Sequence, residues 1–339
     1  MAPQADPREH LLVSVVVIGR NEGARLQRCL QSVFAMSHAG FDLEVVYVDS
    51  GSKDQSVAMA EAAGARAIAL APVRPSAALG RNAGWQAAHG SIVLFLDGDT
   101  VLHPEFVAAS LPEFAEPRVA VVWGHRRELY PRRSLYIRVL DLDWVYRPGL
   151  TEYCGGDALF RRSVLQQTNG FDASLIAGEE PELCRRIRAL GFDILHVDRP
   201  MTGHDLAIVR FPQYWKRLTR AGHAFAEVSD RLRNTDEAFW QGEATRNRNR
   251  CLAVALGLVA AVAASILRRS VVPFAVYCAL FAAFSLRSAW KARWKTQDRV
   301  ALLLFGFHSH LQQVPIYLGQ LQYRWSRWRG TRRALVEYK

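Results

Sequence analysis

Asp97 and Asp99 lie one residue apart, directly after an apolar run over residues 92–96. A short apolar run of this kind predicts a buried strand, whose carboxyl end would carry both carboxylates. Two hard oxygen ligands at this spacing suit Mg²⁺ or Mn²⁺, and a cation bound by them can also bind a diphosphate. Asp and Gly are equally common in plain turns, so the pair alone leaves both interpretations open.

A second acidic group, Glu179-Glu180-Pro181-Glu182, precedes a helical pattern that stops at Gly191. Pro181 fits the first helical turn, and Gly191 fits the C-terminal stop. At the positive end of a helix an ionised carboxylate is favoured, and it can act as a general base. Simple stabilisation of the helix N-terminus is the alternative role.

The elements that must position these residues alternate along the chain. Strands are predicted over residues 11–18, 44–48 and 91–96, and helices near residues 23–35, 53–63 and 80–88. This order predicts an α/β fold with a mostly parallel sheet that is covered on both faces. Ligands of such sheets bind beyond the carboxyl ends of the strands, where the polar residues 19–22, 49–52 and 97–99 lie.

The positive charge of the chain, +11 in all, is concentrated in its last third. Residues 1–230 carry 25 basic and 27 acidic residues, whereas residues 231–339 carry 18 and 5. These basic residues flank apolar runs, which favours a membrane over nucleic acid as the partner. The uncharged runs 251–267 and 271–286 predict a membrane hairpin, and residues 300–321 a re-entrant or interfacial segment. A buried pair of soluble helices is the alternative for the hairpin.

Several polar and glycine-containing motifs follow one another along the chain. They are residues 15–22, 48–54, 80–84 and 94–99, then Gly155-Gly156, Gly178-Glu179-Glu180 and His204. In these motifs and their order the chain resembles a family 2 glycosyltransferase of the GT-A fold. The resemblance implies a GT-A (Rossmann-like, nucleotide-sugar-binding) domain over residues 1–235. A membrane-anchoring helical region would follow over residues 236–339 and end in a basic tail.

The resemblance also implies roles for individual residues. Those implied to bind the nucleotide sugar are Arg20, Glu22, Asp49, Gly51, Arg81 and Asp97. Asp99 is implied to bind Mn²⁺ or Mg²⁺ directly and His204 to be a further metal ligand, since neutral imidazole suits Mn²⁺. Backbone at Gly155 and Gly156, with Asp157, is implied to contact the acceptor.

The catalytic base implied by the resemblance is one of two neighbouring residues. Glu180 occupies the position where the family usually has Asp, and its side chain is one methylene longer. This departure leaves both Glu179 and Glu180 as candidates, with Glu180 favoured and Glu182 a weaker third.

The predicted function is transfer of a single sugar, because the Gln-x-x-Arg-Trp motif of processive members does not occur ahead of the hairpin. The resemblance implies inversion at the anomeric carbon and a nucleotide-sugar donor, UDP-linked in the first instance. The acceptor is predicted to be a lipid-linked glycan in cell-surface polysaccharide or glycolipid assembly. The catalytic domain is predicted in the cytoplasm, at the inner membrane. A polyprenyl-phosphate monosaccharide synthase and an inactive membrane assembly subunit are the alternatives.

Overall fold

The computed structural model describes residues 11–234 and 239–331. Its strands are β1 Leu12–Gly19, β2 Asp42–Asp49, β3 Arg66–Ala69, β4 Ile92–Asp97, β5 Thr100–Leu102, β6 Val119–Glu128, β7 Gly149–Leu150, β8 Ala158–Arg161 and β9 Asp193–His204. Its helices are α1 Ala24–Phe34, α2 Ser56–Ala62, α3 Ala77–Ala87, α4 Phe106–Ser110, α5 Leu135–Asp143, α6 Arg162–Thr168, α7 Glu179–Ala189, α8 Phe211–Arg231, α9 Gln241–Leu267, α10 Val272–Lys291, α11 Arg299–Leu311 and α12 Gln313–Trp328. A 3₁₀ helix, Leu111–Ala115, follows α4.

The chain divides into two compact units. Among the described residues, one unit contains residues 11–129 together with residues 146–206, and the other contains residues 130–145, 207–234 and 239–331. The domain division predicted near residue 235 remains a prediction from the sequence.

The first unit is built on a mixed sheet with the strand order β3-β2-β1-β4-β8-β6-β9-β5, and β7 pairs with β9. The strands from β3 to β4 are parallel, as the alternation of strands and helices predicts. β8 runs antiparallel to β4 and to β6, whereas β6 and β9 are parallel. The sheet is therefore parallel in its first half and mixed beyond β4.

The first strands form because their side chains can be buried on both faces of the sheet. The run from Val13 to Val17 has no exposed surface, and neither has the run from Val93 to Leu96. Helix α1 covers the sheet with Leu26, Cys29 and Leu30, which are fully buried. Runs that are apolar at nearly every position, here interrupted only by the buried Ser14, are typical of central parallel strands.

The second unit is helical. Helices α8 and α12 approach each other closely through glycines, since a Cβ at Gly222 would lie 1.8 Å from the carbonyl oxygen of Ile316. A Cβ at Gly319 would lie 2.0 Å from the carbonyl oxygen of Thr219. Both glycines are therefore required for this packing.

Helices α9 and α10 correspond to the predicted hairpin. Their most apolar windows have mean hydropathies of 2.2 and 1.5, and only 11% and 6% of these windows are buried. Both helices are long and apolar enough to cross a membrane. The predicted re-entrant or interfacial segment, residues 300–321, covers α11 and the first half of α12, which meet at Gln312. Its relation to a membrane remains a prediction.

Candidate active site

The loops after β1, β2 and β4 meet at the carboxyl edge of the sheet. Ile18 in β1 is level with Asp97 in β4, and Gly19 is level with Asp49 in β2. The register therefore brings together the three polar loops that the sequence places after strands. This edge is where parallel α/β sheets bind their ligands.

Asp49 fixes the shape of the loop after β2. Its buried carboxylate accepts hydrogen bonds from the backbone N–H groups of Gly51 at 2.9 Å and Ser52 at 2.7 Å. It also accepts hydrogen bonds from the hydroxyls of Tyr47 at 2.9 Å and Ser52 at 2.5 Å. Gly51 has a φ of 86°, which glycine adopts without strain. A direct contact between Asp49 and a nucleoside stays a prediction.

Arg20 and Glu22 lie beside this turn, in the loop after β1. The Nε of Arg20 is 3.5 Å from the carbonyl oxygen of Gly51, so the two loops are in contact. The carboxylate of Glu22 pairs with Arg25 at 2.8 Å, at the start of α1. The structure places both residues at the predicted edge, and their contacts to a nucleotide remain predictions.

Arg81 is the charged centre of the site although it lies inside α3. Its side chain is 2% exposed, and its Nη2 donates to Oδ1 of Asp97 at 2.9 Å. Its Nη1 donates to Oε1 of Glu179 at 3.0 Å and lies 3.6 Å from Oε1 of Glu180. Burial alone would lower the pKa of the guanidinium. The charges of the three carboxylates raise this pKa by more than burial lowers it, so Arg81 stays a cation. The predicted diphosphate contact of Arg81 stays a prediction.

Gly155 and Gly156 form a wall of this site because they have no side chains. A Cβ at Gly156 would lie 2.6 Å from Nη2 of Arg81 and 3.0 Å from Oδ2 of Asp97. A Cβ at Gly155 would lie 1.8 Å from Nη1 of Arg126 in β6. Any other residue at either position would displace a guanidinium group. Acceptor binding by this backbone stays a prediction.

Asp97, Asp99 and His204 form a candidate metal centre. One ligand atom from each residue lies within 4.8 Å of the other two. Asp99 and His204 are buried, and Nδ1 of His204 lies 3.6 Å from Oδ1 of Asp99. Two carboxylates and an imidazole are a donor set that accepts Mn²⁺.

Negative charge exceeds positive charge around this centre. Five carboxylates, those of Asp97, Asp99, Asp157, Glu179 and Glu180, lie near the guanidinium groups of Arg81 and Arg126. Burial raises the pKa of Asp97, Arg81 opposes that rise, and the charges of Asp157 and Asp99 add to it. A divalent cation would relieve this repulsion, so both the donor atoms and the charge fit one.

Asp157 lies behind the metal centre. Its side chain is 0% exposed, and Oδ1 accepts a hydrogen bond from the backbone N–H of Asp97 at 3.1 Å. Oδ2 accepts a hydrogen bond from the Thr202 hydroxyl at 2.7 Å and lies 3.2 Å from Nε2 of His204. Burial would raise the pKa of Asp157, but His204, Arg126 and Thr202 hold it at about 2. This placement does not support a direct acceptor contact by the Asp157 side chain.

Glu179 and Glu180 begin α7 and differ in accessibility. The Glu179 side chain is 6% exposed and bonded to Arg81, whereas that of Glu180 is 19% exposed. Burial and the charge of Glu179 raise the pKa of Glu180 to about 7, against the pull of Arg81. Glu182 pairs with Arg186 at 2.8 Å on the same helix. Glu180 is therefore the candidate with both access and basicity.

Arg126 and Thr202 belong to this cluster but carry no signal in the sequence. Both reach it from the paired strands β6 and β9, where Arg126 is level with Thr202. These strands lie far apart in sequence, and their pairing is not local. Basic residues in a strand, as in His125-Arg126-Arg127, are equally typical of a solvent-exposed edge strand, so the sequence does not indicate a role in the site.

Comparison with known proteins defines the class of this chain. The family model described as "Glycosyl transferase family group 2" matches residues 92–290, which is more than half of the chain. The model "Glycosyl transferase family 2" matches residues 14–168. The chain belongs to the family 2 glycosyltransferases, which confirms the resemblance of its motifs.

Two curated relatives match part of the chain. Glycosyltransferase AglE of Haloferax volcanii is 28% identical over 193 residues, which are 54% of this chain and 63% of AglE. The pre-mycofactocin glycosyltransferase of Mycobacterium tuberculosis is 27% identical over 217 residues, which are 60% of this chain and 44% of that protein. The chain thus matches less than two thirds of the length of each relative.

Solved structures share the fold at low sequence identity. The mannosyltransferase PcManGT from Pyrobaculum calidifontis, in complex with GDP-Man and Mn²⁺, superposes with a TM-score of 0.69 and 18% identity over 95% of this chain and 89% of its own. S. aureus TarS 1-349 in complex with UDP-GlcNAc superposes with a TM-score of 0.50 and 16% identity, over 97% and 95%. These similarities confirm the predicted GT-A fold.

Proposed function

We propose that the chain is a metal-dependent, inverting glycosyltransferase. It moves a single sugar from a nucleotide sugar, with a UDP-sugar as the favoured donor. The acceptor is a lipid-linked glycan in cell-surface polysaccharide or glycolipid assembly. The observation that carries this proposal is that a base candidate, Glu180, and a candidate metal ligand, Asp97, both lie against the buried guanidinium of Arg81. Membership of family 2 and a fold shared with PcManGT, solved with GDP-Man and Mn²⁺, support it.

The proposed reaction is one direct displacement. Glu180 takes the proton of the acceptor hydroxyl while the hydroxyl oxygen bonds to the anomeric carbon of the donor. The bond from that carbon to the diphosphate oxygen breaks, and its electron pair leaves with the nucleoside diphosphate. Attack from the side opposite the leaving group inverts the anomeric centre. Asp97, Asp99 and His204 would hold the divalent cation, which supplies positive charge beside the leaving diphosphate.

The surroundings of Glu180 suit a base that works near neutral pH. A carboxylate whose pKa is about 7 binds a proton more strongly than an ordinary one, and half of it is ionised at that pH. Its partly exposed side chain can reach an acceptor hydroxyl, whereas Glu179 is buried against Arg81. Arg81 bonds to Glu179 at 3.0 Å and lies farther from Glu180, at 3.6 Å, so Glu180 is the less tightly held of the two carboxylates.

The acceptor and the location are proposed from the second unit. Helices α9 and α10 are long and apolar enough to cross a membrane, and basic residues flank them on both outer sides. The positive-inside rule then assigns both outer ends to the cytoplasm, at the inner membrane. A glycan carried on an isoprenoid diphosphate lies at that same interface, which favours a lipid-linked acceptor.

The test is sugar transfer by the full chain purified in detergent. UDP- and GDP-sugars are scanned with Mn²⁺ or Mg²⁺ and a membrane lipid extract, for the wild type, Asp99→Ala and Glu180→Gln. We expect metal-dependent transfer into the lipid fraction, with a loss of about 10²–10⁴-fold in Glu180→Gln. Arg118→Gln, at an exposed ion pair with Asp193, is the control and should keep full activity.

Each outcome of this test has one meaning. Transfer to purified polyprenyl phosphate alone would replace the glycan acceptor with the lipid phosphate itself. Failure to bind or use any sugar nucleotide with either metal would overturn the proposed activity. In a separate complementation experiment, full cellular function of Glu180→Gln would identify the chain as an assembly subunit instead.

A further inference from the structure

Asp157 connects three parts of the site from a fully buried position. Its carboxylate bonds to the backbone N–H of Asp97, to the hydroxyl of Thr202 and to Nε2 of His204. Asp97 ends β4, and the other two residues belong to the last part of β9. A residue with no exposed surface acts on substrate or metal through its neighbours.

The imidazole of His204 lies between two carboxylates. Nε2 is 3.2 Å from Oδ2 of Asp157, within hydrogen-bond distance, whereas Nδ1 is 3.6 Å from Oδ1 of Asp99, which is longer than a hydrogen bond. An ionised carboxylate accepts hydrogen bonds and cannot donate them. Nε2 is therefore the protonated ring nitrogen, and it donates its hydrogen bond to Asp157. When the ring is neutral, as it must be to bind a metal, its lone pair then belongs to Nδ1, the atom that faces Asp99.

This arrangement matches how proteins orient histidine ligands of metals. Such a histidine donates its second ring N–H to a carboxylate, which fixes both the tautomer and the direction of the ring. We propose that Asp157 is a positioning residue that holds His204 with Nδ1 toward Asp99, and thereby sets the affinity for a divalent cation. The inference rests on the proposed function, because it assigns how this chain holds the cation of that reaction.

Arg126 supports Asp157 from the neighbouring strand. Its guanidinium lies against the backbone of Gly155, where a Cβ would be 1.8 Å from Nη1, and its charge acts on Asp157. A glycine at position 155 is therefore needed to leave room for the Arg126 guanidinium, whose charge acts on the Asp157 carboxylate.

The test is a double-mutant cycle on Mn²⁺ affinity. Free Mn²⁺ is titrated into the full chain and followed by its electron paramagnetic resonance signal, for the wild type, Asp157→Asn, His204→Ala and the double variant. We expect Asp157→Asn to raise the Kd for Mn²⁺ by about 10–100-fold in the wild type. In the His204→Ala background the same change should have no further effect, because Asp157 acts through the ring.

A control variant removes a second buried carboxylate, one that pairs with a guanidinium. Asp205 follows His204 in sequence, and its Oδ2 pairs with Arg28 at 2.8 Å. Asp205→Asn should weaken Mn²⁺ binding less than Asp157→Asn does. Thr202→Val, which removes one hydrogen bond from Asp157, is a milder variant that keeps the test available where Asp157→Asn does not fold, and it should also raise the Kd.

The outcomes separate this inference from the proposed function. Equal effects of Asp157→Asn with and without His204 would mean that its charge, not the ring, matters, and would overturn the inference. An unchanged Kd in both Asp157→Asn and Thr202→Val would also overturn the inference. Metal-dependent transfer by the wild type would then still support the proposed function. A wild type that binds no Mn²⁺ would overturn the inference, whereas transfer supported by Mg²⁺ would leave the proposed function in place.

Discussion

At the scale of single residues, the site is organised by one buried cation. Arg81 lies against carboxylates from two different elements, Asp97 at the end of β4 and Glu179 at the start of α7. Breaking a buried ion pair by removing one partner is costly because the other charge is left without compensation. Arg81 therefore contributes to stability as well as to the site.

Replacement of Arg81 by Gln should destabilise the first unit strongly. The change leaves the carboxylates of Asp97 and Glu179 facing each other, and we expect a loss of about 3–5 kcal/mol in the free energy of unfolding. Urea unfolding followed by fluorescence measures this value. Arg118→Gln removes an exposed arginine from its pair with Asp193 and should cost about 0–1 kcal/mol. Equal losses in both variants would contradict the central role of Arg81.

The rate of transfer should depend on the ionisation of Glu180. The groups facing it are Glu179, Arg81, Asp97 and the thiol of Cys154, and its pKa is raised to about 7 by burial and by Glu179. A base must be ionised, so kcat/KM should rise with pH and level off above about 7. Glu179→Gln removes a charge that raises this pKa, so the rise should move to lower pH. A profile that does not move would assign it to another group.

At the scale of elements, the parallel part of the sheet could be predicted and the rest could not. β1 and β4 are apolar at nearly every position and end in polar loops. Their sequences therefore predict both the strands and the position of the candidate site. β8 is four residues long, and its antiparallel pairing with β4 depends on contacts far along the chain. Asp157 lies just before β8, which is why its contact with His204 could not be read from local patterns.

Helix α12 presents an apolar face on the side opposite its glycine contact with α8. Leu318, Leu321, Trp325 and Trp328 are exposed at spacings of three and four residues, which places them along one side of the helix. The guanidinium of Arg329 stacks on the Trp325 ring at 4.0 Å. Tryptophan and arginine at the border of an apolar helix face are typical of a helix in the membrane interface.

Tryptophan fluorescence should test this orientation of α12. In vesicles that contain lipids brominated on their acyl chains, the combined Trp325→Phe and Trp328→Phe variant should lose part of the quenched emission. Trp123→Phe, which removes a buried tryptophan of the first unit, should leave the quenched part unchanged. Quenching that is the same in all three proteins would exclude contact between this face and the bilayer.

At the scale of the whole molecule, charge and hydropathy differ between the two ends of the chain. Residues 1–230 carry 25 basic and 27 acidic residues and contain the candidate site, whereas residues 231–339 carry 18 and 5 and contain both apolar helices. In the proposed membrane association, this basic excess would face anionic lipid headgroups. This distribution was visible in the sequence because composition does not depend on long-range contacts.

The orientation of α9 and α10 in a membrane can be tested by cysteine labelling. Arg268 lies in the connection between the helices and Lys291 at the end of α10, and both are exposed. In a Cys278→Ser background, which removes the exposed native thiol, an impermeant maleimide added to right-side-out vesicles should label Arg268→Cys but not Lys291→Cys. Permeabilised vesicles should then label Lys291→Cys, which serves as the control for its reactivity. Labelling of Lys291→Cys from outside would reverse the orientation, and equal labelling of both sites from one side would mean that the pair does not cross the bilayer.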